Sequence, residues 1–124
     1  MRQNISGGSP FEPIIGFSRA VRIGSAVHVS GTGPVGADDG DVTRQTNRVF
    51  EIIQAALAEA GAGLEHVVRT RMYLTRAADW EEVARVHGRL FGEVRPAATM
   101  VVVAQLLNPA WRIEIEADAV LPQG

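Results

Sequence analysis

The residue best suited to chemistry in this chain is Glu114, one of two glutamates in the alternating stretch 113–117. Successive strand side chains point to opposite faces, so Glu114 and Glu116 share the face opposite Ile113 and Ile115. Carboxylates on a partly covered face must be paired, hydrated or used, because an unpaired buried charge is very costly. If burial raises the pKa of Glu114 toward neutrality, its carboxyl group can carry protons to and from a reacting molecule.

A predicted hairpin brings further polar side chains together. Gly24-Ser25 separates two apolar runs, 18–23 and 26–31, and glycine in the first position favours a type II′ turn. This turn sets the register, so residues directly opposite each other share a face. The expected pairs are Ile23 with Ala26, Val21 with His28, Arg19 with Ser30 and Phe17 with Thr32. Phe17, Arg19, His28 and Ser30 should therefore project together.

Each of these residues also has a structural interpretation. Glu114 could form an ion pair with Arg69 or Arg71 of a third predicted strand, over 67–75. Arg19 could be a solvated or interface arginine. Ser30 could simply fit a tight strand end, and without a base beside it in the pattern we do not expect a nucleophile.

Composition excludes several classes of protein. The 124 residues contain no Cys, and all twelve basic residues are Arg, which removes thiolate chemistry, disulfides and Schiff-base lysines. A net charge of −2 does not indicate binding to nucleic acid, which normally requires clustered positive charge. The three His lack metal-ligand spacing, and His87 lies on an apolar helix stripe where a packed histidine is expected. We expect no cofactor, no metal, no signal peptide, no membrane span and a cytoplasmic location.

The element pattern predicts an α+β fold, a mixed sheet with two helices on one face. Residues 1–15 are rich in Gly, Ser and Pro, and we expect an irregular arm within one domain over 1–124. Apolar spacing predicts helices over about 45–60 and 80–91, the second opened by a capping box of Asp79 and Glu82.

The run Met100 to Ala104 has no polar face, which is typical of a strand covered on both sides. Two helices can cover only one face of the sheet, so the other face needs another copy of the chain. The sequence therefore predicts an oligomer with clefts between subunits.

Several blocks of the sequence resemble the Rid (reactive intermediate deaminase) family, also called YjgF or endoribonuclease L-PSP. The resemblance runs from Phe17 to Val120 and rests on the order and spacing of these blocks. They are Ser30-Gly31, Gln45-Thr46, Ala60-Gly61 with Val67-Val68-Arg69-Thr70 after it, Arg95-Pro96-Ala97 and Ile113-Glu114-Ile115-Glu116-Ala117. It implies a chorismate-mutase-like fold, a homotrimer with ligand clefts between subunits, and cofactor-free hydrolysis of enamines and imines such as 2-aminoacrylate.

By this resemblance, the family's aromatic cleft residue falls on Phe17, its serine on Ser30, its backbone contact on Gly31 and its water-positioning glutamate on Glu114. The family's Pro-Ala-Arg-Ser motif is here Pro96-Ala97-Ala98-Thr99, without the arginine that clamps the substrate carboxylate. Met100 replaces a cysteine, and Phe17 replaces a tyrosine. Arg19 and Arg71 are the candidates to replace the arginine absent at Ala98.

The sequence thus predicts an enamine or imine hydrolase whose substrate differs from 2-aminoacrylate, with Glu114 and Ser30 as catalytic candidates. Its substrate-binding candidates are Phe17, Arg19, Gly31, Ala98 and Met100. A trimeric binding or protein-protective module without turnover is the alternative, because a site that has lost its clamp could have lost catalysis. A ribonuclease is the weakest interpretation, since the chain has neither a basic patch nor a catalytic His pair.

Overall fold

A computed structural model describes residues 1–122 and has a six-stranded mixed sheet with two helices. The elements are β1 Arg2–Ile5, β2 Ala20–Ile23, β3 Ala26–Thr32, α1 Val42–Glu59, β4 Val67–Leu74, α2 Trp80–Phe91, β5 Ala97–Val102 and β6 Ile113–Val120. The strand order is β1-β2-β3-β6-β4-β5, and only the β4–β5 pair is parallel. The α+β prediction is confirmed, while the single domain over 1–124 stays a prediction whose last two residues lie outside the described part.

The two helices pack on one face of the sheet, as predicted. The buried stripe of α1 includes Val49, Ile53 and Leu57, which join Ile113 and Ile115 of β6 in the core. Such a stripe stabilises the helix mainly through its packing. No helix within residues 1–122 is long and apolar enough to cross a membrane.

The hairpin register is confirmed where β2 and β3 pair. Val21 lies opposite His28 and Ile23 opposite Ala26, and Gly24 has a positive φ of 57°, which suits glycine at the turn. Beyond the ladder, the Ser30 N–H donates to the Arg19 carbonyl at 2.9 Å, so Arg19 is opposite Ser30 as expected. The hairpin therefore delivers both residues to one end of the sheet.

The irregular arm expected over 1–15 is corrected by the structure. Residues 2–5 form the edge strand β1, which pairs antiparallel with β2, and Glu12–Gly16 forms a single π-helical turn. The Gly, Ser and Pro residues that suggested an arm lie between these two elements. A four-residue strand with three polar side chains has too little apolar alternation to be recognised in the sequence.

Two local predictions were also wrong. Alternation in the predicted strand over 67–75 places Val68 on the same face as Thr70, Met72 and Leu74. In the structure Val68 is 47% exposed, because a bulge between Val67 and Arg69 turns Val67 into the core instead. Asp79 caps no backbone N–H of α2. Its carboxylate instead accepts two hydrogen bonds from Arg112, at 2.6 and 3.0 Å.

The outer strand β5 is largely uncovered in the single chain. Val101 and Val102, which point to opposite faces, are 42% and 54% exposed. The sheet face away from the helices carries the side chains of Arg71, Tyr73, Glu114 and Glu116, and we call it the open face. An apolar edge strand exposed on both sides is a surface that proteins normally cover.

Candidate functional site

A bulge at the end of β3 shapes the candidate site. Val29 lies opposite Ala117 and Thr32 opposite Ile115, so two residues of β3, 30 and 31, face a single residue of β6. A bulge re-aims the side chains that follow it. Thr32 consequently turns into the core, where it is fully buried, and the Ser30-Gly31 pair lies against β6 beside Glu114.

Gly31 is in direct contact with the carboxylate of Glu114. A methyl group at Gly31 would lie 2.7 Å from Oε2 of Glu114 and 3.2 Å from its carboxyl carbon. The backbone there is not left-handed, so space rather than conformational freedom requires glycine. The absent side chain lets the carboxylate rest against the strand.

The Glu114 carboxylate is half-buried and lies beside the bulge of β3. Among residues 1–122 it forms no hydrogen bond and no ion pair, so the structural alternative of a pair with Arg69 or Arg71 is not found. Burial raises the pKa of Glu114 above its ordinary 4.5, the charge of Arg19 lowers it in part, and that of Glu116 raises it further. This carboxyl group is suited to holding and releasing a proton.

Arg19 lies beside this carboxylate. Its Nη2 donates to the Gly31 carbonyl at 2.9 Å, and its guanidinium carbon is 5.5 Å from the centre of the Phe17 ring. Its Nε is buried without a hydrogen-bond partner within the described chain. Burial lowers the pKa of Arg19, and the charges of Glu12 and Glu114 oppose this change. Phe17, Arg19, Gly31 and Glu114 therefore form one cluster.

Ser30 lies at the same end of the hairpin, but its hydroxyl proton is already used in a hydrogen bond. Its Oγ donates to the Ser18 carbonyl at 2.6 Å. A hydroxyl that donates to a backbone oxygen keeps its lone pairs as acceptors. Ser30 can thus accept a hydrogen bond from a bound molecule, and its geometry does not favour a nucleophile.

The rest of the open face carries a chain of paired polar groups, which we call the polar ladder. It consists of Tyr73, Glu116, Arg71, Asp118 and His28. Tyr73 donates to Glu116 at 2.7 Å, Arg71 lies 3.7 Å from Glu116 and 3.1 Å from Asp118, and Asp118 lies 2.7 Å from the ring of His28. Arg71 is occupied by these carboxylates, which leaves Arg19 as the better candidate to bind a ligand anion.

Ala98 and Met100 lie apart from this cluster within the chain. They are opposite Thr70 and Met72 of β4, whose side chains point to the helix-bearing side. Two strands, β4 and β6, lie between β5 and β3 in the sheet. The chain alone therefore does not bring Ala98 and Met100 to Glu114.

Sequence reasoning missed Glu12, which is buried although it lies in a Gly- and Pro-rich segment. Its carboxylate accepts the N–H groups of Gly7 and Ser9 at 2.9 and 3.2 Å. The available signal was a lone acid among Gly and Ser residues, which supply free backbone N–H groups to a carboxylate. That signal is weak, because acids are common in loops.

His87 is a packed histidine, as predicted. It is half-buried between Phe50 and Phe91, and its Nε2 lies 2.9 Å from the hydroxyl of Thr70. Burial lowers the pKa of His87. Within residues 1–122, no three His, Asp or Glu side chains are grouped as metal ligands.

The sequence of this chain matches a known protein family and several of its members. The family model described as endoribonuclease L-PSP matches residues 8–121. An uncharacterised protein of Streptomyces coelicolor is 37% identical over 121 residues, covering 94% of this chain and 90% of that protein. The 3-aminoacrylate deaminase RutC of Acinetobacter baylyi is 32% identical over 117 residues, covering 90% and 91% of the two chains.

Solved structures agree with these sequence matches. The crystal structure of a YjgF/YER057c/UK114 family member from Mycobacterium tuberculosis has a TM-score of 0.92 and 46% identity, and the match covers 98% of this chain and all of that one. The small α+β fold, its sheet topology and these sequence and structure matches together define the class of protein. The chain belongs to the endoribonuclease L-PSP family, also known as the YjgF or Rid family.

Proposed function

We propose that this protein hydrolyses small imines or enamines to a carbonyl compound and ammonia, in clefts between the subunits of a cytoplasmic homotrimer. The observation that carries the proposal is the half-buried Glu114 carboxylate, which has no partner among residues 1–122 and which Gly31 leaves room for. The name of the Acinetobacter baylyi relative, 3-aminoacrylate deaminase, supports the reaction class.

The proposed reaction needs only one proton-carrying group. Water adds to the imine carbon as Glu114 takes a proton from it, and the C=N bond becomes a C–N single bond. Glu114 then returns this proton to nitrogen, which gives a carbinolamine. In a second transfer Glu114 takes the hydroxyl proton and delivers it to the same nitrogen, so the C–N bond breaks, ammonia leaves and the carbonyl forms. Ser30 accepts a hydrogen bond from the substrate or the water, and Phe17 forms an apolar wall.

The proposed substrate differs from 2-aminoacrylate, because Ala98 cannot bind a carboxylate as an arginine does. A hydrogen bond to a charged group contributes about 1.5 to 3 kcal/mol, so loss of a bidentate clamp weakens carboxylate binding roughly tenfold to hundredfold or more. Phe17 also lacks a hydroxyl group. We therefore expect imines with bulky apolar groups to be better substrates.

The trimer is proposed from the surfaces that one chain leaves uncovered. Both faces of β5 are exposed, and the open face carries charges next to apolar side chains. Another copy would cover these surfaces and could bring its own Ala98 and Met100 to the Glu114 cluster. Sedimentation that shows a stable monomer at micromolar concentration would contradict both the assembly and a cleft between subunits.

A binding module without turnover is the second candidate. Ala98 is the observation that favours it, because a site that no longer needs to hold a reactive acid can lose its clamp. The two candidates share the cleft and the trimer, and they differ in whether Glu114 moves a proton.

The deciding experiment generates imines in situ with an amino-acid oxidase and times ammonia release against the spontaneous rate. We expect acceleration by the wild-type protein on apolar imines, at least about tenfold less on 2-aminoacrylate, and loss of the acceleration in Glu114→Gln. Equal rates with and without protein across the panel would support the binding module. High rates on 2-aminoacrylate would contradict the argument from Ala98.

A further inference from the structure

Glu12 lies outside the groups assigned to the reaction, yet the structure ties it to them. It is only 8% exposed, and its Oε2 accepts the backbone N–H groups of both Gly7 and Ser9. These two hydrogen bonds close the segment 6–12 into a loop, which we call the Glu12 loop. A carboxylate that accepts several backbone N–H groups strongly stabilises the local backbone conformation.

The Glu12 loop rests on the side chain of Arg19. A methyl group at Gly7 would lie 3.2 Å from Cβ and Cγ of Arg19 and 3.3 Å from its Cδ, so the loop backbone is packed against the arginine stem. The head of the same side chain is held by the Gly31 carbonyl at 2.9 Å. The loop on one side and β3 on the other fix where the guanidinium sits.

The charges of both Glu12 and Glu114 act on Arg19. Burial alone would raise the pKa of Glu12, but the hydrogen bonds from Gly7, Ser9 and Ser6 and the charge of Arg19 lower it overall, so Glu12 is ionised at neutral pH. The loop is therefore closed by a charged carboxylate that accepts the N–H groups of Gly7 and Ser9.

We propose that Glu12 is a positioning residue for the Glu114 cluster: it closes the loop that packs on the Arg19 stem, and so holds the guanidinium at the Gly31 carbonyl, next to the Glu114 carboxylate. The role of Glu114 in this proposal rests on the proposed function. The contacts of the Glu12 loop are independent of it, and so is a titration of Glu114, which requires no turnover.

Two substitutions at Glu12 should have different effects on Glu114. In Glu12→Gln the amide oxygen can accept the same two N–H bonds, so the loop stays closed and the acid dissociation constant of Glu114 should stay close to that of wild type. In Glu12→Ala the loop opens and Arg19 turns toward water, so the dissociation constant of Glu114 should fall about threefold.

The measurement is an NMR titration of the Glu114 carboxyl carbon in the full-length protein. Arg19, Glu116 and Tyr73 are the other groups that act on this carboxyl or lie opposite it. In an Arg19→Met background Glu12→Ala should lose its effect on the titration, because the cation that the loop positions is gone. Glu81→Gln, on the exposed side of α2, is the matched control and should change nothing.

A fall in Glu12→Ala that Glu12→Gln does not show, and that disappears without Arg19, would support the positioning role. A merely structural Glu12 would lower the stability of the variants and leave the titration of Glu114 unchanged, and that result would overturn the proposal. Equal shifts in Glu12→Gln and Glu12→Ala would overturn it too. If Glu12→Ala fails to fold, Gly7→Ala decides in its place, because the added methyl group would lie 3.2 Å from the Arg19 stem and should displace the loop from it. An absence of hydrolysis would count against the proposed function alone.

Discussion

Glu114 and Glu116 are two residues apart on the same face of β6, yet their surroundings differ completely. Glu116 accepts a 2.7 Å hydrogen bond from Tyr73 and lies 3.7 Å from Arg71. Glu114 has no hydrogen bond or ion pair within residues 1–122 and rests on Gly31. One carboxylate belongs to a paired structural network, and the other is kept available.

The difference arises from the neighbouring strands. Glu114 lies opposite Tyr73, whose hydroxyl group is turned to Glu116, and the bulge in β3 places a glycine where a side chain could have paired with Glu114. An unpaired carboxylate costs free energy in the folded state, so an arrangement that preserves one is more often functional than structural.

The largest expected effect is on the rate of hydrolysis. Glu114→Gln should lower any hydrolysis by about 10² to 10⁴, the usual contribution of a positioned acid–base group. Stability should be unchanged or slightly higher, because no partner is lost. Glu116→Gln is the matched control, and its rate should stay within about threefold of wild type if it acts only in the polar ladder. Steady-state ammonia release and thermal unfolding of both variants provide the comparison.

The opposite pattern is also well defined. If Glu114 were half of a buried ion pair in the assembled protein, removing its charge would destabilise the fold by about 3 to 5 kcal/mol, with a proportionate loss of activity. That result would assign Glu114 to structure and would favour the binding module.

The second largest effect on the rate is expected from a change at the contact between Gly31 and Glu114. Gly31→Ala places a methyl group 2.7 Å from Oε2 of Glu114, so the carboxylate must move. A displacement of about 1 Å can cost roughly 10²-fold in rate. Gly88→Ala has open space around the added methyl group and lies in α2, so it should keep the rate and stabilise the helix by about 0.5 to 1 kcal/mol. Equal rates in the two variants would remove Gly31 from the site.

A smaller effect is expected in the polar ladder. Tyr73→Phe removes the hydrogen bond to Glu116 and should lower the free energy of unfolding by about 1 to 3 kcal/mol. The rate of hydrolysis per folded molecule should change little. Urea unfolding together with the ammonia assay would detect both quantities, and a large loss of rate at unchanged stability would place Tyr73 in the site.

The smallest effect is the pH dependence of stability. The folded pKa of Glu114 is raised above 4.5, so the folded protein binds more protons than the unfolded chain between 4.5 and that pKa. This carboxyl group therefore lowers the free energy of unfolding as the pH rises through that window. Glu114→Gln removes the dependence, so its stability relative to wild type should increase over the same range and then level off. Urea unfolding at a series of pH values would show an unchanged difference if the carboxyl were not perturbed.

The sequence predicted what depends on periodicity and turn chemistry. The helix stripes, the Gly24-Ser25 hairpin and the shared face of Glu114 and Glu116 all follow from local spacing, and the structure confirms them. The bulges in β3 and β4 could not be predicted, because a bulge depends on the partner strand. For the same reason, parity alone could not tell Glu114 from Glu116.

Contacts between segments that are distant along the chain could not be predicted from the sequence either. The Glu12 loop is held by backbone N–H groups and packs on Arg19, and these contacts leave only a weak pattern in the residue types. Asp79 has the position of a helix cap, yet it binds Arg112, which is 33 residues away in the chain. Pairing of charges is set by the tertiary fold, so only the structure can assign it.

We propose that Glu114 is a carboxyl group kept free for proton transfer, and a titration of the wild-type protein tests this role most directly. The NMR signal of the Glu114 carboxyl carbon, assigned by its absence in Glu114→Gln, would be followed with pH. We expect a pKa above 4.5, because burial outweighs the charge of Arg19. A pKa at or below 4.5 would show a carboxylate neutralised by its neighbours, and would contradict the assignment of Glu114 as the proton carrier.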